Sequence, residues 1–128
     1  MFRTLRTAIA VTPVALLAAC SSGTSAPAET LPAKVDVQVN AVASLKFDKA
    51  DYGTVKAGDL VFGYSNHDSV RHTLIIAKDN VKVPSFKLVI PQKGANDSGT
   101  VTLSAGTYVL LCDVPGHSNM KATLVVTP

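Results

Sequence analysis

The last quarter of the chain contains the stretch Thr107-Tyr-Val-Leu-Leu-Cys-Asp-Val-Pro-Gly-His-Ser-Asn-Met-Lys-Ala-Thr-Leu-Val-Val126. Its two ends are apolar runs typical of β-strands, and its middle is a loop that contains the turn formers Pro and Gly. The loop holds a thiol at Cys112, an imidazole at His117 and a thioether at Met120. A loop that joins two strands of a β-sandwich lies at one end of the fold, where such proteins place functional sites.

A second imidazole precedes this stretch at His72, which begins the apolar run His72-Thr-Leu-Ile-Ile-Ala77. One Cys, two His and a weakly bound Met form the ligand set of a blue-copper site. We therefore predict that four side chains bind one type 1 copper ion: His72, Cys112, His117 and Met120. Two alternatives stay open, because His72 could be a histidine without a metal and His67, in the polar loop before it, could be the ligand instead.

The sequence after residue 34 favours β-strands throughout. The segment Val35-Asp-Val-Gln-Val-Asn40 alternates apolar and polar residues, as a half-buried strand does. Further short strands are predicted at 59–65, 72–78, 86–90, 100–103, 107–112 and 122–126, with loops at 66–71 and 93–99. Two weaker strand candidates lie at 45–47 and 52–55. Seven or eight short strands at even spacing predict an all-β fold, a Greek-key β-sandwich or barrel.

The N-terminus has the features of an export signal. A short basic start precedes an apolar segment at 7–19, which is too short for a permanent membrane-spanning helix. The sequence Leu17-Ala-Ala-Cys20 resembles the lipobox of bacterial lipoproteins, in which cleavage leaves a lipidated N-terminal Cys. We predict a signal peptide at 1–19, lipidation of Cys20, a flexible tether at 20–33 and one folded domain at 34–128. An ordinary signal peptide, with Cys20 incidental, is the alternative.

Removal of this signal changes both the charge and the cysteine content. The full chain has a formal net charge of +3, but without Arg3 and Arg6 ten basic residues remain against nine acidic ones. A nearly neutral domain gives no reason to expect a nucleic-acid partner. If Cys20 carries a lipid, Cys112 has no disulfide partner, and a metal would use and protect this thiol in an oxidising compartment. The alternative is a buried, inert Cys112.

These motifs resemble those of cupredoxins, the plastocyanin- and azurin-like family of blue-copper proteins. The resemblance covers residues 34–128 in strand order and is sharpest at 56–66, 70–76 and 106–126. Met120 follows His117 by three residues, as in some cupredoxins, whereas the Met comes five residues after the His in many relatives. The resemblance implies that His117 is the more exposed ligand and carries electrons through its outer edge. Thr73 or Asn66 is expected to hold the ligand loops together, although Thr73 could simply fill a strand position.

The resemblance implies a carrier of single electrons that cycles between Cu(I) and Cu(II) and is not an enzyme. Together with the lipobox, it implies a monomer that is attached by Cys20 to the outer face of the bacterial cytoplasmic membrane. Redox proteins such as cytochromes or a terminal oxidase would dock transiently near His117, Val114 and Pro115. The alternative is a protein that delivers or buffers copper without electron transfer. Copper oxidases and nitrite reductases usually need His-X-His pairs, which this sequence lacks.

Overall fold

The computed structural model describes residues 30–128. The predicted signal peptide, Cys20 and the tether as far as residue 29 lie outside the described residues. Residues 30–128 include no helix long and apolar enough to cross a membrane.

Ten β-strands form between Val37 and Thr127. In chain order they are β1 (Val37–Val42), β2 (Lys46–Phe47), β3 (Asp51–Lys56), β4 (Gly58–Asn66), β5 (His72–Lys78), β6 (Val81–Lys82), β7 (Leu88–Ile90), β8 (Asn96–Leu103), β9 (Gly106–Leu111) and β10 (Lys121–Thr127). The all-β prediction is confirmed. The count exceeds the predicted seven or eight because the weaker candidates form β2 and β3 and because the two-residue β6 has no predicted counterpart.

The strands form two sheets. One has the order β2-β1-β4-β8, and the other has the order β3-β10-β9-β5-β6, with β7 paired to β5. The pairs β1–β4 and β3–β10 are parallel, whereas the other pairs are antiparallel. The chain thus crosses between the sheets three times from β2 to β5, as expected for a sandwich whose neighbouring strands are distant in sequence.

The hydrophobic core lies between the two sheets. Alternation along β1 and β10 sends every second side chain inward, so that these strands have one buried face. The largest apolar side chains with almost no exposure come from both sheets: Tyr64, Phe62, Leu74, Ile76, Ile90, Leu110 and Leu124. Burial of apolar groups of this size stabilises a fold by roughly 1.5–3 kcal/mol each. This core gives β5 and β9, which carry the candidate ligands, a rigid support.

The predicted loop at 93–99 is wrong for its second half, because β8 already begins at Asn96. Gly99 is one of the residues that suggested a loop, yet it pairs with Phe62 of β4. A Cβ atom at Gly99 would lie only 3.1 Å from Cδ2 of Leu88. The glycine therefore permits close packing within a strand and does not mark a turn.

Candidate metal centre

The loop between β9 and β10 is held closed by its own backbone. Leu111 and Lys121 form a pair of the β9–β10 ladder, and the N–H of Cys112 then donates to the carbonyl of Met120 at 3.2 Å. The Met120 N–H donates to the carbonyl of His117 at 2.9 Å. Gly116, with a φ of +88°, takes the left-handed conformation that this tight turn needs. The loop thus places Cys112 and Met120 at its base and His117 near its tip.

Three of the predicted ligands come together at this end of the sandwich. One ligand atom each from His72, Cys112 and His117 lies within 4.8 Å of the other two. The Sγ atom of Cys112 is 3.5 Å from Nδ1 of His117, and the two imidazole ring centroids are 4.9 Å apart. All three side chains are buried, and His117 is more exposed than His72, at 9% against 0%. These donors therefore form a small, enclosed N₂S cluster.

The ring of His72 is oriented by Asp68. Its Nε2 atom lies 3.0 Å from Oδ2 of Asp68. The backbone N–H of Ser69, and then the His72 side chain, lower the pKa of the Asp68 carboxyl. An ionised carboxylate only accepts hydrogen bonds, so Nε2 carries a proton and Nδ1 is the ring nitrogen that is left to bind a metal. This Nδ1 is the one buried side-chain polar atom without a hydrogen-bond partner in residues 30–128, as expected for an atom that binds a metal.

The sulfur of Cys112 accepts a hydrogen bond from the backbone of β5. The N–H of Thr73 points at Sγ from 3.4 Å. The Thr73 hydroxyl is 3.5 Å from the same sulfur, but it donates to Oδ1 of Asp113 at 2.5 Å and accepts from the Asp113 N–H at 3.0 Å. Lys87 Nζ lies 2.9 Å from the other carboxylate oxygen. Hydrogen bonds from Thr73 and then Lys87 hold the pKa of Asp113 below its usual value.

The loop that carries Asp68 is fixed by Asn66. Its side-chain amide donates to the carbonyls of Val70 at 2.8 Å and Ile90 at 3.2 Å. Its Oδ1 atom accepts from the Asp68 N–H at 2.9 Å. Asn66 therefore holds the first ligand loop. Thr73 does more than fill a strand position, because its hydroxyl joins β5 to the second ligand loop.

The other candidate residues occupy different places. Met120 is 1% exposed beside the cluster's loop, and its role as the axial ligand stays a prediction. His67 is exposed and lies outside the cluster. Val114 is half-buried and Pro115 is exposed, and their role in partner docking stays a prediction. Cys20 lies outside the described residues.

Sequence reasoning missed the polar partners of the ligands. Asp68 lies four residues before His72, and Asp113 directly follows Cys112, so each has a signal in its spacing. Lys87 has no such signal, because its contact with Asp113 depends on how the strands are arranged.

Two mixed β-sheets that close over a buried His–Cys–His cluster at one end define a cupredoxin-like β-sandwich. The donor set is compatible with a type 1 copper site, since a thiolate and two neutral imidazole nitrogens suit that ion.

Comparison with solved structures supports this fold. Auracyanin B matches with a TM-score of 0.61 and 24% identity, over 78% of this chain and 93% of that one. Auracyanin A, a "blue" copper protein from Chloroflexus aurantiacus, matches with a TM-score of 0.56 and 21% identity, over 71% of this chain and 97% of that one. Amicyanin from Paracoccus versutus matches with a TM-score of 0.54 and 20% identity, over 76% of this chain and 85% of that one. No family model matches the sequence. The search of curated proteins also found no match.

Proposed function

We propose that the chain is a type 1 blue-copper protein that carries single electrons between redox partners. The observation that carries this proposal is the buried cluster of His72, Cys112 and His117, in which one imidazole nitrogen is left without a hydrogen-bond partner. Met120 would be the weak axial ligand. The solved cupredoxins of the same fold include a "blue" copper protein and an amicyanin in a reduced Cu(I) form.

A copper ion bound by these residues supplies reversible one-electron chemistry between Cu(I) and Cu(II). The protein's part is to keep the ligands fixed while the charge of the site changes. Asp68 holds the His72 ring, and the Thr73 N–H holds the Cys112 sulfur. Groups that are already oriented need little rearrangement when one electron arrives or leaves.

His117 is the proposed point of electron entry and exit, because it is the more exposed of the two imidazoles. Redox partners such as cytochromes or a terminal oxidase would dock near it, in contact with Val114 and Pro115. A lipid on Cys20 would keep this monomeric domain at the outer face of the cytoplasmic membrane. The tether at 20–33 would let the domain reach its partners there.

The test is an absorption spectrum of the full chain after one equivalent of Cu(II). We expect an intense blue colour that ascorbate removes and ferricyanide restores. Cys112→Ala should abolish the colour, because the thiolate is the chromophoric ligand, whereas the matched control Cys20→Ala should leave it unchanged. A Cys112→Ala protein that still bound copper and exchanged electrons would refute the proposal.

The rate of cycling separates electron transfer from copper delivery or buffering. A carrier should exchange electrons reversibly in many successive cycles and keep its metal. A delivery protein should instead lose copper to a chelator or an apo-acceptor and cycle slowly. Membrane attachment has its own test, because Cys20→Ala should release the protein from the membrane and remove the lipid mass seen by mass spectrometry.

A further inference from the structure

A groove lined by lysines begins at the exposed edge of His117. The first cavity, of about 170 Å³, is lined by His117, Gly116 and Asn119 on one side and by the β1–β2 turn, including Lys46, on the other. A second cavity of about 170 Å³ shares Lys46 and Asn119 with the first and extends to Lys49 and Lys121. We call these two adjoining cavities the lysine groove.

The lining of the lysine groove contains positive charges and no negative ones. Lys46, Lys49 and Lys121 are exposed, and no carboxylate in residues 30–128 lines either cavity. The nearest acids in sequence, Asp48 and Asp51, line neither cavity. Asp48 accepts hydrogen bonds from Asn40 and Tyr52, and Asp51 accepts one from the N–H of Gly53. The ammonium of Lys49 lies 5.7 Å from the centroid of the Tyr52 ring, a contact that restricts its motion.

The opposite side of the ligand loop differs in charge. A cavity of about 170 Å³ there is lined by Val114, Pro115, Arg71, Lys87 and Asp113. The Lys87 ammonium is 2.9 Å from the Asp113 carboxylate, so that this charge is compensated. This cavity is thus lined by two cations and one carboxylate, whereas the lysine groove is lined by three lysines and no carboxylate.

We propose that the lysine groove extends the docking surface at His117, Val114 and Pro115 and binds an acidic face of a protein redox partner. This inference rests on the proposed electron-transfer function and adds the chemistry of the partner to it. Carboxylates of the partner would approach Lys46, Lys49 and Lys121 and bring its redox centre close to the His117 edge. Complementary charge of this kind raises the rate of encounter more than it raises affinity, which suits a transient contact.

The test uses small redox reagents of opposite charge with the copper-loaded full chain. Stopped-flow mixing would measure the oxidation of the reduced protein by anionic ferricyanide and by a cationic cobalt(III) phenanthroline complex. The variant Lys46→Gln/Lys49→Gln/Lys121→Gln removes the charge of the groove. The variant Lys34→Gln/Lys56→Gln/Lys82→Gln removes the same charge from exposed lysines elsewhere and serves as the matched control.

We expect the groove variant to react about fivefold or more slowly with ferricyanide and correspondingly faster with the cation at low salt. The control variant should change either rate by less than about twofold, and about 1 M salt should remove the differences. Equal changes in the reaction rates of the groove variant and the control variant would mean that only the total charge of the protein matters. This result would overturn the docking proposal. A chain that exchanged electrons with neither reagent would refute the proposed function itself and this inference with it.

Two competitors identify the kind of partner. Poly-glutamate should slow the ferricyanide reaction of the wild-type chain but not that of the groove variant. If vesicles of anionic phospholipid had this effect and poly-glutamate did not, the groove would be a membrane-facing surface. That result would overturn the proposal of an acidic protein partner.

Discussion

Replacement of Thr73 by valine removes the hydroxyl that joins the two ligand loops. This hydroxyl donates to the Asp113 carboxylate at 2.5 Å and accepts from the Asp113 N–H at 3.0 Å. Thr73 is 1% exposed, so water does not easily replace it. The backbone N–H of residue 73, which points at the Cys112 sulfur, remains in the variant.

The expected loss of unfolding free energy follows from these two hydrogen bonds between Thr73 and Asp113. A hydrogen bond to a charged acceptor contributes about 1.5–3 kcal/mol to stability, and an ordinary one about 0.5–1.5 kcal/mol. Asp113 is exposed enough for water to solvate its freed groups, and the added methyl gains some apolar contact, so both contributions are partly recovered. We expect Thr73→Val to lower the free energy of unfolding by about 2–3 kcal/mol.

Urea unfolding of the metal-free protein, followed by circular dichroism, measures this loss. With a slope of about 1–3 kcal/mol per molar urea, the midpoint should fall by about 1–2 M. The matched control is Thr123→Val, which loses one bond to the carbonyl of Ala50 at 3.2 Å and should cost about 1 kcal/mol. Lys87→Gln should cost less than about 1 kcal/mol, because its ion pair with Asp113 is exposed.

A loss in Thr73→Val no larger than in Thr123→Val would refute the reasoning. The double variant with Asp113→Asn should lose less than the sum of the two single variants, since both disrupt the same hydrogen bond. Strict additivity would contradict the assigned contact. The blue band of the copper-loaded Thr73→Val protein should move little, because the N–H donor to the sulfur is intact.

Three further predictions concern the site's potential and the protein's stability towards acid. Asp68→Asn removes the negative charge beside His72 Nε2 and should raise the reduction potential by about 40–80 mV, as measured by redox titration. An unchanged potential would contradict an effect of the Asp68 charge on the site. Met120→Leu should keep the blue colour and raise the reduction potential, because oxidised copper loses a weak sulfur donor. A loss of the blue colour would contradict the weak axial role, since it would show that Met120 is needed to form the site. Burial tends to raise the pKa of Asp48, but hydrogen bonds from Tyr52 and neighbouring groups outweigh it and hold this pKa below 3.8. The Asp48 carboxylate therefore stabilises the fold above pH 3.8. The difference in unfolding free energy between the wild type and Asp48→Asn should disappear as the pH falls through the lowered pKa. Urea midpoints of the two proteins that differed as much in acid as at neutral pH would contradict this.

Strands with strong local patterns could be predicted from the sequence. The strand His72–Lys78 agrees with its predicted bounds, because an apolar run lies between a polar loop and the turn at Asp79 and Asn80. Both turn residues have positive φ values, as their residue types favour. The residues 96–99 were predicted wrongly, since pairing with β4 outweighs the local preference of Asn, Asp and Gly for turns.

The kinds of donor at the site were also predictable, but their partners were only partly so. Cys112 and His117 are close in sequence, and their loop is closed by local hydrogen bonds. Lys87 and Asp113 meet across a sequence separation of 26, so no local pattern relates them. The lysine groove likewise combines the β1–β2 turn with the ligand loop, which are far apart in sequence.

The sequence by itself determined the chemistry of this protein, because residue type decides that a thiol and two imidazoles are available and a short loop already brings Cys112 and His117 together. Only the tertiary structure decided that His72 joins them. Pairing of β5 with β9 brings the His72 end of β5 beside Cys112. Asp68 orients the His72 ring so that Nδ1 has no other hydrogen-bond partner. The physical reason is that contacts within a loop depend on local backbone geometry, whereas contacts between distant strands depend on the register that burial of the whole core selects.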